Sequence, residues 1–415
     1  MFGEAAERLG VKLVFASDRC DQLEDPWVDD AIPVRFHQEA SAVTAIVSAT
    51  RSAPVSGVVA VGDRPTVVAA LAARALRLPW HPPNAARIAR DKRHTRKWLT
   101  NAGMLAPWFL IARRTTPVAN VLPASWPVVV KPTVLSGSRG VIRANDAIEL
   151  RRAFTRVARL LDASDVRALR DPAADDIVIE QFIAGKEYAL EGIVDSGRLH
   201  TLAIFDKPDP LDGPYFEETI YVTPARVSEG VRQAIESGVA QAIQSLGLEH
   251  GPIHAECRVN DRGVYVLEVA ARPIGGLCAR ALRVIDSQSR EIGLEELILR
   301  HALGESPTQW VKTADATGVM MIPIPGEGIY RGVDGIESAQ QVNGIEGVRI
   351  TAKLDQRLVP LPEGASYLGF IFARVSDPDG VEKSLREAHR RLRFTIDRAI
   401  AVNDLLPSAE AIPTD

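Results

Sequence analysis

The sequence predicts a multidomain α/β chain in which a unit with a small parallel sheet precedes α+β units. The 415 residues exceed what one compact core organises, so two or three domains are expected. Strand-like and helix-like runs alternate through the N-terminal stretch, as in parallel strands joined by helices. Further on, β runs separated by turn residues alternate with amphipathic helices, the pattern of α+β modules.

In the first unit, residues 1–9 read as a helix, 11–16 as a strand and 31–34 as a short β run. A helix over 40–49, a strand over 58–61 and a helix from Pro65, with Asp63 or Arg64 near its N-cap, complete it. Such units open on a strand near the sheet centre, so a first strand is expected to be missing and the start to lie upstream of Met1. Residues 85–102 read as one helix carrying Asp91 and Lys92, closed by Gly103. A βαβ-like block follows: strand 127–131, loop 136–140, strand 141–143, helix 147–161 and strand 176–180. Strands 187–194 and 199–205 form a hairpin over 195–198. A helix over 229–246 precedes a second, acidic hairpin, and another helix starts near Leu277. Residues 318–400 read as a separate α+β module ending in an amphipathic helix over 381–392. The tail from about Pro407 is expected to be flexible.

Apolar residues make up 46% and charged residues 25% of the chain, the balance of a globular enzyme. Net charge is −4 and basic residues are dispersed, which argues against nucleic-acid or membrane partners. No apolar run is long enough to span a bilayer, so a cytoplasmic location is expected. Cys20, Cys257 and Cys278 have no metal-ligand spacing and read as buried thiols in a reducing compartment.

The acidic hairpin is the most informative stretch. If Asp261, Arg262 and Gly263 form a three-residue loop with Gly263 left-handed, Val259 lies opposite Tyr265 and Glu256 opposite Glu268. Two carboxylates facing each other repel, so the arrangement calls for a cation, and oxygen-only ligands suit Mg²⁺. Arg272 falls on the same face by the period of two. A solvated face of an ordinary hairpin would show the same alternation.

Lys131 ends the apolar run Val128, Val129, Val130 and precedes the small-residue loop Ser136, Gly137, Ser138, Arg139, Gly140. A lysine leaving a buried strand beside such a loop suits a triphosphate, although a surface turn with a solvated lysine is also open. The segment Glu180, Gln181, Phe182, Ile183 offers backbone groups to an adenine edge, and Glu187 is placed to accept from ribose hydroxyls.

Taken in order, Lys92, Lys131 with its loop, Glu180–Gln181–Phe182–Ile183 with Glu187, and Glu256, Glu268 and Arg272 resemble the ATP-grasp superfamily of carboxylate–amine ligases. The Gly275–Gly276 pair and the segment 367–373 look most like L-amino-acid ligases. The resemblance implies an ATP-grasp fold with an N-terminal Rossmann-like domain (1–85), an ATP-grasp domain (86–304) whose lid is about 105–178, a C-terminal α+β domain (305–405) and a tail (406–415). It implies that Lys92 and Lys131 contact phosphates and that Ser136 to Gly140 closes over the γ-phosphate. Glu180 and Ile183 would bracket the adenine, Glu187 take the ribose, and Glu256 and Glu268 hold Mg²⁺ or Mn²⁺. One departure stands out: Ala270 occupies a position where the family usually carries a metal-binding Asn.

The implied reaction uses ATP to activate a carboxylate as an acyl phosphate, which an amine then attacks; amino acids are the expected substrates, and the resemblance leaves the oligomeric state open, a homodimer being common among relatives. Arg272 is the candidate to stabilise developing oxyanions. His254 could accept a proton or be a satisfied structural histidine. Gly275 and Gly276 could present N–H groups at a helix entry or serve close packing. Glu191 and the segment through Lys207, Glu217 and Glu218 border the acceptor side without an assigned role. A bicarbonate-activating carboxylase and a non-catalytic ATP-binding regulator are the alternatives.

Overall fold

The computed structural model describes residues 2–18, 31–121 and 123–398. Cys20 and the tail 406–415 lie outside the described residues. In the first unit come α1 (Phe2–Leu9), β1 (Ala16–Asp18), β2 (Ile32–Val34), α2 (Glu39–Ala49) and α3 (Thr66–Leu76). β1 and β2 pair in parallel, Ala16 opposite Ile32. The strand expected over 11–16 is thus confined to its end. Residues 58–61 join no ladder among the described residues; Val58 and Ala60 instead pack against Ala69, Ala70 and Ala73 of α3.

The helix expected over 85–102 is two helices, α4 (Pro83–Arg90) and α5 (Lys92–Asn101). Asp91 breaks it: its backbone is extended (φ −108°, ψ 112°) and its carboxylate caps α5 by accepting from the Arg93 N–H at 2.9 Å. The break makes Lys92 the first residue of a helix.

The next unit contains β3 (Phe109–Arg113), β4 (Val128–Pro132), β5 (Ile142–Ala144), α6 (Ala147–Leu161), α7 (Ser164–Arg167) and β6 (Asp176–Gln181). Its sheet order is β3-β6-β4-β5. All three pairings are antiparallel, correcting the βαβ-like reading, because β6 inserts between β3 and β4. Asp146 caps α6, accepting from the N–H groups of Ile148 and Glu149 at 2.8 Å. Leu150, Phe154, Val157 and Leu161 recur at helical spacing and bury against Val128, Val130, Ile177 and Ile179.

The chain continues through β7 (Lys186–Asp195), β8 (Arg198–Asp206), β9 (Ile220–Thr223), α8 (Glu229–Leu246), β10 (Gly251–Asn260) and β11 (Gly263–Ala270). The β7–β8 turn is two residues, Ser196 and Gly197, both at positive φ, shorter than the 195–198 loop expected. A small sheet of β12 (Arg283–Ile285), β13 (Glu291–Gly293) and, after α9 (Leu294–Ala302), β14 (Val311–Lys312) follows.

Last come β15 (Ala316–Ile322), β16 (Gly328–Asp334), α10 (Ile336–Gln340), β17 (Ile345–Ile350), β18 (Arg357–Leu358), β19 (Gly369–Val375), α11 (Pro378–Arg391) and β20 (Arg393–Arg398). This segment is not detached. β15 pairs with β9, so one eight-stranded sheet runs β11-β10-β7-β8-β9-β15-β19-β17. No helix among the described residues is long and apolar enough to cross a membrane.

Leu161 is fully buried beneath the four-stranded sheet. Leu161→Ala is expected to cost that unit about 2–5 kcal/mol. Hydrogen exchange should show faster amides in β3 to β6 while β7, β8 and β10 stay protected.

Candidate active site

β10 and β11 join through a two-residue turn, Asp261–Arg262, not the three-residue loop expected. Asn260 lies opposite Gly263 and Val259 opposite Val264. That register alone would set Glu256 across from Leu267. A bulge at Leu267 shifts it by one residue, so Glu256 does face Glu268. The Leu267 carbonyl accepts from Arg96 Nη1 at 2.6 Å, which anchors the bulge to α5. Lys92, one turn away on α5, donates to the Leu135 carbonyl at 3.1 Å and lies 3.3 Å from Glu268 Oε2.

Lys207, just past β8, is the centre of a charge cluster. Its buried ammonium donates to Glu187 at 2.8 Å, to Glu218, and to Glu256 at 3.3 Å. Oxygens of these three carboxylates lie within 4.8 Å of one another, a donor set suited to a hard divalent cation. Burial pushes the Glu218 carboxyl up to about 7 against the pull of Lys207. For Glu256 the balance reverses: burial opposes ionisation, but Lys207 and His254 hold it well below the usual range. Arg258 donates to the second Glu187 oxygen at 2.8 Å and to the Ile183 carbonyl at 2.8 Å. Lys207 and Arg258 had no role in the sequence reading. For Lys207 a signal existed, because Lys131 and Lys207 each stand near the end of an apolar strand and precede a proline.

Lys131 is buried in an ion pair with Glu180, which also accepts from Arg96 at 2.7 and 3.2 Å. Burial, reinforced by Arg96 and Lys92, pushes the Lys131 amine down to about 8. The two cations outweigh burial at Glu180 and hold it at about 2. The Glu180 carboxylate therefore anchors two cations, and Glu180, Gln181, Phe182 and Ile183 all line the cavity. The loop also divides. Ser136, Gly137 and Ser138 line the cavity. Arg139 points away, to the Glu363 carbonyl at 2.7 Å and Asp165 at 2.7 Å, and Gly140 N–H donates to the Pro362 carbonyl at 2.8 Å.

Arg272 is brought to the site and held by Asp63, with Nε and Nη2 donating to its carboxylate at 2.8 and 3.2 Å. His254 Nδ1 bonds Glu191, and its Nε2 lies 3.5 Å from Glu256. Burial would lower its pKa, but the two carboxylates raise it to about 9, which favours the structural reading of His254. Glu191 is fully buried behind the cavity, bonding His254 and the Ile274 N–H at 3.2 Å. Gly275 and Gly276 line the cavity, but the expected helix after them is a 3-10 turn, Cys278–Ala281, too short to present an anion site. Cys257 and Cys278 are buried free thiols.

These groups surround one cavity of about 590 Å³. Lys92, Lys131, the Ser136–Ser138 loop, Glu256, Glu268 and Arg272 all line it, together with Met321, Tyr367 and Phe370 from the C-terminal segment.

Family models match three stretches: an ATP-grasp N-terminal domain over 3–80, an ATP-grasp domain over 124–281, and an L-amino acid ligase C-terminal domain 2 over 320–397. The chain belongs to the ATP-grasp superfamily. An L-amino acid ligase from Bacillus licheniformis shares the fold with a TM-score of 0.81 and 29% identity, covering 96% of each chain. A D-alanine–D-alanine ligase of Syntrophotalea carbinolica is 27% identical over 231 residues, 54% of this chain and 68% of its own length. The alanine–anticapsin ligase of Bacillus subtilis is 28% identical over 209 residues, 46% of this chain and 43% of its own length.

Gly140 has φ +77°, and a Cβ there would lie 2.8 Å from Pro132 and 2.9 Å from Leu160. At Gly275 a Cβ would meet nothing within 4 Å. Gly140→Ala is expected to lose about 1–3 kcal/mol in urea melts, with faster exchange over 136–140, while Gly275→Ala stays near the parent.

Proposed function

We propose that this ATP-grasp protein is an ATP-dependent carboxylate–amine ligase that joins amino acids and releases ADP and phosphate. The observation that carries this is one cavity lined by Lys92 and Lys131, by the paired carboxylates Glu256 and Glu268, and by Arg272. The named substrates of the relatives are amino acids or an amino-acid analogue, and the Met321, Tyr367 and Phe370 wall favours an apolar side chain.

In this reading the adenine lies along Gln181 to Ile183, the ribose hydroxyls donate to Glu187, and the phosphates run toward Lys131, Lys92 and the Ser136–Ser138 loop. The all-oxygen donors fit Mg²⁺ or Mn²⁺, which Glu256 and Glu268 would hold; water can stand where Ala270 offers no ligand. When bound, the ion offsets phosphate charge. Lys131 and Lys92 neutralise the γ-phosphoryl group as the acid's carboxylate attacks phosphorus in line and the bond to ADP breaks. Arg272, held in aim by Asp63, donates to the acyl oxygen while the amine attacks the acyl carbon and phosphate leaves. Glu218, a cavity-lining carboxylate whose pKa burial raises, would take the proton the amine loses. Buried free thiols suit the cytoplasm.

The test is turnover with pairs of amino acids while ADP, AMP and product mass are followed. ADP release that needs both an acid and an amine, with a condensed product, is expected. AMP formation would point to adenylation, and ADP release driven by bicarbonate alone to a carboxylase. Tight ATP binding without turnover would mean a regulator.

A second expectation concerns pH. The phosphate-binding form of Lys131 is the ammonium, which the unliganded site loses as pH rises through about 8. ATP affinity should therefore fall above pH 8 by at most about tenfold per unit, and stay flatter in Lys131→Arg. Calorimetric titration across that range decides it.

A further inference from the structure

Away from this cavity, four of the chain's eight histidines gather: His81 before α4, His200 on β8, His250 before β10 and His301 on α9. His250 and His301 stack, ring centroids 4.0 Å apart. Asp195, at the end of β7, lies 3.4 Å from His250 Nδ1. One potential ligand atom from each of Asp195, His250 and His301 lies within 4.8 Å of the others.

The hydrogen bonding is incomplete in a telling way. His301 Nδ1 faces the Glu305 carbonyl at 3.3 Å, which makes Nδ1 the protonated nitrogen and leaves the lone pair on Nε2. That Nε2 is buried without a hydrogen-bond partner, and so is Nε2 of His250. His81 repeats the pattern: Nε2 faces the Pro252 carbonyl at 3.2 Å, and Nδ1 is buried and unpartnered. Natural interiors rarely leave such atoms unsatisfied, and here two belong to one cluster, with a third on a nearby histidine.

We propose that Asp195, His250 and His301 bind one transition-metal ion of the zinc class. Two imidazole nitrogens and one carboxylate oxygen suit Zn²⁺, Co²⁺ or Ni²⁺ and disfavour Mg²⁺. The stacked rings do not point their lone pairs at a common point, so binding turns one ring about its Cβ–Cγ bond. The ion would pin α9 to the β7–β8 hairpin and to the start of β10. His250 stands four residues before His254, roughly 13 Å along the strand, so this site is distinct from the carboxylate cluster.

The test uses the full chain, stripped with a chelator and desalted, then dialysed against Zn²⁺ or Co²⁺ with Mg²⁺ in excess. One zinc per chain is expected, retained in Glu256→Gln/Glu268→Gln, with Co²⁺ giving a visible absorption band of histidine ligation. Asp195→Asn, at a partly exposed hairpin end, and His250→Gln should each weaken zinc binding by at least ~10-fold. Circular dichroism establishes that both variants fold. Failure of the parent to hold zinc, affinity unchanged in both variants, or zinc lost only with Glu256 and Glu268 would each overturn the assignment. All three outcomes are read without turnover, so a failed ligase assay leaves the metal question intact.

Discussion

One buried ammonium, that of Lys207, holds three carboxylates in a space they would otherwise leave. Glu187, Glu256 and Glu218 come from β7, β10 and the approach to β9, so the ion cluster ties neighbouring strands of the long sheet at one level. Two like charges about 4 Å apart repel by about 4 kcal/mol even at an effective dielectric of 20. The shape of the cavity floor depends on that repulsion being offset, and Tyr221 helps by donating to Glu218 at 2.8 Å.

A second buried cation connects the two sides of the cavity. Arg96, fully buried on α5, grips Glu180 on β6 with one edge of its guanidinium and the Leu267 carbonyl on β11 with another. The strand that anchors Lys131 and the bulge that aims Glu268 are thus referred to one rigid group. A planar fork with five donors can do this and an ammonium cannot.

How far the sequence was legible depends on the range of the interactions involved. Helices such as α6 and α8 were readable because caps and apolar spacing are local. The pairing of Glu256 with Glu268 was also reached, although through a loop one residue too long that the unforeseen bulge at Leu267 offset. Asp91 was noted within a helix it in fact divides, since a capping residue and an exposed helical aspartate look alike without backbone angles. Contacts of long range were opaque. Nothing local links Asp63 to Arg272, 209 residues apart, or sets Arg96 against Glu180, 84 residues apart. The hold of Lys131 and Arg96 on the Glu180 carboxylate is likewise visible only in the fold.

The pairing of β9 with β15 joins the nucleotide-side strands and the C-terminal strands in one hydrogen-bonded ladder. A chain cut before β15 would bare the edge of β9, whose Ile220, Tyr221 and Val222 are all buried, and such an edge invites association with other chains. The C-terminal segment is therefore a poor unit of recombination: exchanging it between relatives breaks a ladder as well as a surface. New substrate preferences are more accessible by changing the loops that carry Gln356 and Tyr367 at the cavity rim, where no ladder has to be rebuilt.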